Sequence, residues 1–250
     1  MDEEKAKAER GTANERSEAS PNAEAALRTA DAVLAVDLSD VPLTRVTQFV
    51  VGWCRAAFAQ SRVIAHLALH GMPSAAAPNR RLFSELAIRL QWLRDLPTDL
   101  RPGAVDEILE TARESKRSTH KHLDEMGWHT GFDPTEMDAF VLSAAEGKVK
   151  DQARKFAAAA HATEVKNGPV FAMWREDSYL AHPTGPLAGE YAPAVDDETL
   201  GMGVPSVLDA DMEGHRDISL FIVVMTGSLL TDEGIDDFVV GRRTSAYFSV

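Results

Sequence analysis

Apolar residues recur every three to four positions along most of the chain, and that period predicts a succession of helices. The longest run lies between Leu43 and His70, where Val46, Phe49, Val50, Trp53, Ala57, Val63, Ile64 and Leu67 share one side. Gly71 and Pro73 should stop it. Ahead of it, AEAALRTADAVLAV (residues 23–36) predicts a shorter Ala-rich helix, with Asp40 or Ser39 capping the next element and Pro42 in its first turn. A third helix runs from about Pro78 to Leu96, turning Leu82, Phe83, Leu86, Leu90 and Leu93 to one side. Arg81, Glu85 and Arg89, spaced at four residues, give it a charged stripe, and Pro97 ends it. More helices are predicted from about Pro102 to Met126, from Thr135 to about Ala145 and from Lys148 to Val165, with a turn around GWHTGFDP. ISLFIVVMTGSLL (residues 218–230) reads as a core helix because its surroundings are helical, whereas the ending FVVGRRTSAYFSV is ambiguous. With no internal repeat and no strand–helix alternation, the expected fold is an all-α bundle of about six to eight helices.

Two segments break the pattern. Residues 1–22 combine high charge with few large apolar residues and read as a disordered tail ahead of a single domain, residues 23–250. Residues 183–214 are rich in Pro, Gly and acids and read as an irregular acidic loop insertion, of the kind that forms lids or binding loops. The net charge of −13 is concentrated in these segments: 183–214 hold seven acids and no Lys or Arg, and the first 25 residues hold seven acids against four bases. The total disfavours adventitious binding to nucleic acid or anionic lipid, while the nearly neutral remainder leaves room for a local basic patch. A single cysteine, Cys54, in the apolar run VTQFVVGWCRAAF excludes a disulfide framework and a thiolate metal cluster. No run approaches the roughly 18 apolar residues of a membrane span, and no apolar leader opens the chain, so a soluble cytoplasmic protein is expected.

The stretch PVFAMWREDSYLAHPT, from Pro169 to Thr184, carries the most suggestive chemistry. Read as a helix, it places Arg175, Tyr179 and His182 on one face, because seven residues at about 100° each make nearly two turns. Pro183 disfavours the α conformation before it, so the helix should stop at His182 and set that imidazole at a C-terminus, where the macrodipole favours its charged form. An arginine beside such a histidine suits phosphoryl chemistry, one group neutralising charge while the other moves protons.

Arg, six residues, then His at a helix end is similar to the signature of the HEPN superfamily, all-α domains many of which are metal-independent ribonucleases. RRLFSELAIRLQWLRDL followed much later by WREDSYLAHPT also resembles an uncharacterised bacterial branch of HEPN-like proteins. The resemblance covers roughly residues 43–230. It implies Arg175 and His182 as the catalytic pair, with Arg81, Glu85 and Ser178 as accompanying polar positions; Tyr179, on the same predicted helical face, joins them as a supporting residue. It further implies RNA as substrate, a homodimer whose paired sites form one cleft, no metal and no small-molecule cofactor, a toxin or phage-defence setting, and a protein partner or antitoxin. Two positions depart from the pattern: Glu176 follows the arginine where Asn or Asp is usual, and Thr184 stands where a Tyr is usual. The alternative is a non-catalytic scaffold or partner-binding protein in which Arg81, Glu85, Arg175, Ser178 and His182 form a structural network. Since the acidic segment begins at His182, it is expected to gate or inhibit the site.

Other motifs read as structural. His66 and His70 in HLALH have zinc-chelating spacing, but Leu67 stands where a hydrolytic base would be, and no metal is assigned. Arg117 and His122 in RSTHKH fall about 140° apart on a helix, a poor pair. Trp53, Trp92, Trp128 and Trp174 are expected in the core or between helices. No phosphate-binding loop, dinucleotide fingerprint or serine-hydrolase elbow is present.

Overall fold

Helices are what the apolar period produces, and local caps decide where each begins. A computed structural model describes residues 21–128, 131, 143–163, 168–196, 199–201, 203 and 211–249. Among these residues are ten α-helices and no strand. They are α1 (21–34), α2 (Arg45–Leu69), α3 (Ala77–Asp95), α4 (Arg101–Glu125), α5 (Gly147–Arg154), α6 (Phe156–Thr163), α7 (Gly168–Leu180), α8 (Gly185–Tyr191), α9 (Met212–Asp232) and α10 (Asp237–Phe248). Short 3-10 turns precede α3 at Pro73–Ala76 and α4 at Thr98–Leu100. No helix among the described residues is long and apolar enough to cross a membrane. The expected tail lies outside the described residues as far as residue 20, and residues 21 and 22 already belong to α1.

Caps account for most boundary differences. Thr44, not Ser39 or Asp40, opens α2: its hydroxyl accepts from the Thr47 backbone N–H at 3.0 Å while the Thr47 hydroxyl accepts from that of Thr44 at 2.8 Å. Ser39 is otherwise engaged, donating its N–H and O–H to Asp37 and holding that carboxyl below its ordinary range. The helix expected over Lys148–Val165 is two helices, α5 and α6, broken at the extended Lys155. Arg89 stabilises the break, donating to the carbonyls of Gln152 and Ala153 at 2.9 and 3.2 Å, and the Trp92 indole N–H donates to the Gln152 side chain at 2.9 Å. Residues 143–146, the end of the helix expected from Thr135, are not helical, and 132–142 lie outside the described residues.

The centre of the bundle is α3. Leu86 to Ile88 and Leu90 to Leu93 are buried without interruption, so this stretch of the helix is covered on all sides, and α2, α6, α7 and α9 pack on α3. Leu82 is the exception to its predicted inward face, being 41% exposed. Around it the stripes are narrower: Ala23, Ala26, Ala30 and Val33 on α1, and Val46, Val50, Cys54, Ala57, Ser61 and Ile64 on α2. Only the first two turns of α4 are buried, and its later turns stand in solvent. Arg101, 3% exposed, donates to the carbonyls of Leu93, Arg94 and Leu96 at the end of α3 and to Asp232 and Glu233 at the end of α9. One guanidinium thereby satisfies the C-terminal carbonyls of α3, where partial negative charge gathers, and pairs with the carboxylates at the end of α9.

The apolar stripe of α9 contains a buried histidine. His215 meets the Ser61 hydroxyl through Nε2 at 2.8 Å and lies against the Phe83 ring at 4.3 Å. Burial, with a smaller contribution from the nearby Arg80 charge, lowers its pKa to about 3. The native state therefore keeps this imidazole neutral, while the unfolded chain protonates it below about pH 6.5. The unfolded state binds the extra proton, so stability falls as pH drops from about 6.5 toward 3. From pH 7.5 to pH 5 this group alone should remove about 2 kcal/mol. Urea unfolding at the two pH values should show that loss in the wild type and a flatter dependence in His215→Phe.

Candidate functional site

The helix that carries the motif, α7, is fixed to α3 by two polar brackets on its inner face. In the first, Glu85 Oε1 accepts from the Trp174 indole N–H at 3.0 Å and from Arg81 Nε at 3.1 Å. In the second, Arg80 Nε donates to Asp177 Oδ1 at 2.9 Å, and its Nη1 reaches the Pro73 carbonyl at 2.7 Å. The Arg80 and Asp177 side chains are only 12% and 8% exposed, so this pair is largely out of water. Desolvation raises the Asp177 pKa, and the Arg80 charge opposes the rise. Aromatic packing closes the seam, with Trp174 meeting Phe156 at 5.0 Å and Phe171 at 5.5 Å between ring centroids. Arg89 lies 5.3 Å from the Phe156 ring centre, and burial lowers its pKa to about 10 although Glu85 pulls the other way.

The outer face of α7 is different. Asp177 and Arg175 are two residues apart, about 200° around a helix, so anchoring one inward turns the other outward. Arg175 is exposed, with its guanidinium 5.7 Å from the Trp174 ring centre, and His182 is exposed as well. Among the described residues no hydrogen bond or ion pair holds either side chain. Arg175 lies in the last two turns of α7 and His182 two residues past its end, so both belong to the same end of this helix.

The helix does not reach His182. It ends at Leu180, and Ala181, His182 and Pro183 form a bend, so the histidine is beyond the C-terminus rather than its last helical residue. The reason is the next element. Thr184 donates its hydroxyl to the Tyr179 carbonyl and accepts from the Leu187 N–H, closing α7 and opening α8 with one side chain. Pro183 adds to this by disfavouring the α region for residue 182. The acidic segment is accordingly not wholly irregular: α8 occupies its start, and Ala194 and Leu200 form an isolated antiparallel bridge. Residues 197–198, 202 and 204–210 of it lie outside the described residues.

The accompanying residues divide. Arg81 and Glu85 are brought together, but their partner is Trp174, not Arg175 or His182. Ser178 donates to the Trp174 carbonyl of its own helix at 2.6 Å, and Tyr179 is 48% exposed. The single network proposed as the structural alternative therefore omits Arg175 and His182. Sequence reasoning missed Arg80 and Asp177, although the tandem Arg80–Arg81 and the acid two places after Arg175 were visible; no periodicity tells which of two neighbouring charges is buried. Trp92 and Trp174 are buried and Trp53 is half-buried, whereas Trp128 is 67% exposed. Arg117 pairs with Glu110 and His122 with Glu125, not with each other. Among the described residues no group of three or more His, Cys, Asp or Glu is placed to hold a metal.

No protein-family model, no curated protein and no solved structure matches this chain.

The brackets should rank by burial. Asp177→Ala, which strands a buried guanidinium, should cost about 3 kcal/mol in urea unfolding. Trp174→Phe, which removes one N–H and keeps the ring, should cost about 1 kcal/mol. Arg175→Ala should leave the unfolding midpoint unchanged.

Proposed function

We propose that this chain is a HEPN-like, RNA-directed protein acting as a metal-independent endoribonuclease through Arg175 and His182. The observation that carries the reading is that both side chains stand in solvent, Arg175 on the outer side of a helix whose inner side is pinned by Glu85–Trp174 and Arg80–Asp177, and His182 on the bend just past its end. A purely structural pair would be expected among the buried bonds. In the proposed reaction a ribose 2′-hydroxyl attacks the adjacent phosphate, and His182 takes the hydroxyl proton or supplies one to the departing 5′-oxygen. Arg175 neutralises the charge that grows on the phosphoryl oxygens. Two chains placed with their α7 ends together would make one cleft, each pair working opposite the other. The acidic charge that begins after His182 opposes an incoming polyanion, and in this reading segment 183–214 gates the cleft. The toxin or phage-defence setting, with an antitoxin-like partner, follows from the resemblance alone.

A second reading has its own observation. The Arg81–Glu85–Trp174 bracket is complete without Arg175 or His182, as in a helical scaffold that binds a partner and catalyses nothing.

Incubating purified wild type, Arg175→Ala and His182→Ala with total RNA in excess EDTA separates the two readings. Under the nuclease reading the wild type degrades RNA, and loss of the histidine slows cleavage by at least about 100-fold with an unchanged melting temperature. Intact RNA with wild-type protein, or equal cleavage by His182→Ala, favours the scaffold.

A further inference from the structure

We propose that His66 and His70 form a chelating site for a borderline divalent transition-metal ion of the Zn²⁺ or Cu²⁺ class, at the end of α2. The proposal is independent of the nuclease reading. Spacing alone leaves this pair as surface polar residues, and the structure adds three observations. The imidazoles are already side by side, with ring centroids 4.2 Å apart, and both residues are exposed, so an ion has access without displacing packed groups. Two nitrogens bound to one tetrahedral Zn²⁺ at about 2.0–2.1 Å lie roughly 3.3 Å apart, a separation of the same order as the 4.2 Å between these ring centres.

The second observation selects the ligand nitrogen of His70. His70 Nδ1 lies 2.8 Å from the His66 carbonyl oxygen, which can only accept, so Nδ1 carries a proton and in the neutral ring Nε2 is the nitrogen with the lone pair. Metal-binding histidines characteristically donate their other N–H to a carbonyl or carboxylate, a bond that orients the ring and raises its basicity. The third is position. His66 lies in the last turn of the 25-residue α2 and His70 is its C-cap, where the helix dipole favours a cation. The nearest opposing charge on the same helix is Arg62, one turn earlier, and Asp31 offsets it at 3.5 Å.

The chemistry of the site is limited by what surrounds it. With two protein nitrogens and no third ligand in place among the described residues, the remaining coordination positions belong to water or to a second copy of this chain. Leu67 occupies the place a hydrolytic base would need, so this is a binding site without hydrolytic chemistry of its own. An ion there would clip the last turn of α2 ahead of Gly71, whose φ of +69° starts the turn into Pro73–Ala76.

Zn²⁺ titrated calorimetrically into chelator-treated full-length chain, with melting curves at saturation, tests the site. The wild type should bind one ion at this pair and melt higher with Zn²⁺, and His66→Ala or His70→Ala should each weaken binding by roughly tenfold or more and abolish the melting shift. A His120→Ala/His122→Ala control on the exposed part of α4 should keep both effects. Equal Zn²⁺ uptake by the wild type and the two α2 variants, or none by the wild type, overturns the proposal. Each single variant is expected to fold, since both side chains are on the surface.

Discussion

The bundle depends on how α3, enclosed along residues 86–93 by four neighbouring helices, carries its charges. Arg80, Arg81, Glu85 and Arg89 all sit along it, Arg80 and Arg89 largely out of water and Arg81 and Glu85 partly so. Each is matched: Arg80 by Asp177, Arg81 by Glu85, Glu85 also by Trp174, and Arg89 by the carbonyls at the end of α5. Arg101 closes the C-terminal end by bonding the last carbonyls of α3 together with the acids that end α9. These contacts set the places where neighbouring helices must stop or break. The bundle is therefore specified by polar groups as much as by apolar area, since an unpaired charge at any of these positions would cost more than a lost methyl contact.

The same constraint produces the candidate site. Asp177 and Trp174 turn inward because Arg80 and Glu85 require partners, and helical geometry then sends Arg175 outward. Thr184 ends α7 early and leaves His182 on a bend. The pair is thus presented by packing that needs neither of its members, which is the arrangement expected of side chains free to act on something outside the fold.

The fold was legible where one period dominates. The stripes of α2 and α9 and the stop at Pro97 follow from side-chain spacing and from the geometry of proline. Boundaries that depend on a distant partner were not legible: the break at Lys155 requires Arg89, more than sixty residues away in sequence. The N-cap of α2 went to Thr44 because Ser39 was already bonded to Asp37. Helices α8 and α10, short and weakly periodic, lacked a pattern to read. At the site, spacing placed Arg175 on a helix but carried that helix to His182, two residues past its actual end, because the Thr184 cap was not foreseen; the buried Arg80–Asp177 pair was not legible either, because adjacent charges differ only in which way the helix turns them. His215 escaped for a similar reason, a polar residue hidden in an apolar stripe.

The central claim is that Arg175 and His182 carry out 2′-hydroxyl attack on RNA, and the ends of the products test it most directly. Mass spectrometry of a cleaved RNA oligonucleotide should find 2′,3′-cyclic phosphate and 5′-hydroxyl termini, with no cleavage of the same oligonucleotide carrying deoxyribose at the scissile position. Termini with 5′-phosphate and 3′-hydroxyl, or cleavage of the deoxy substrate, would contradict the account.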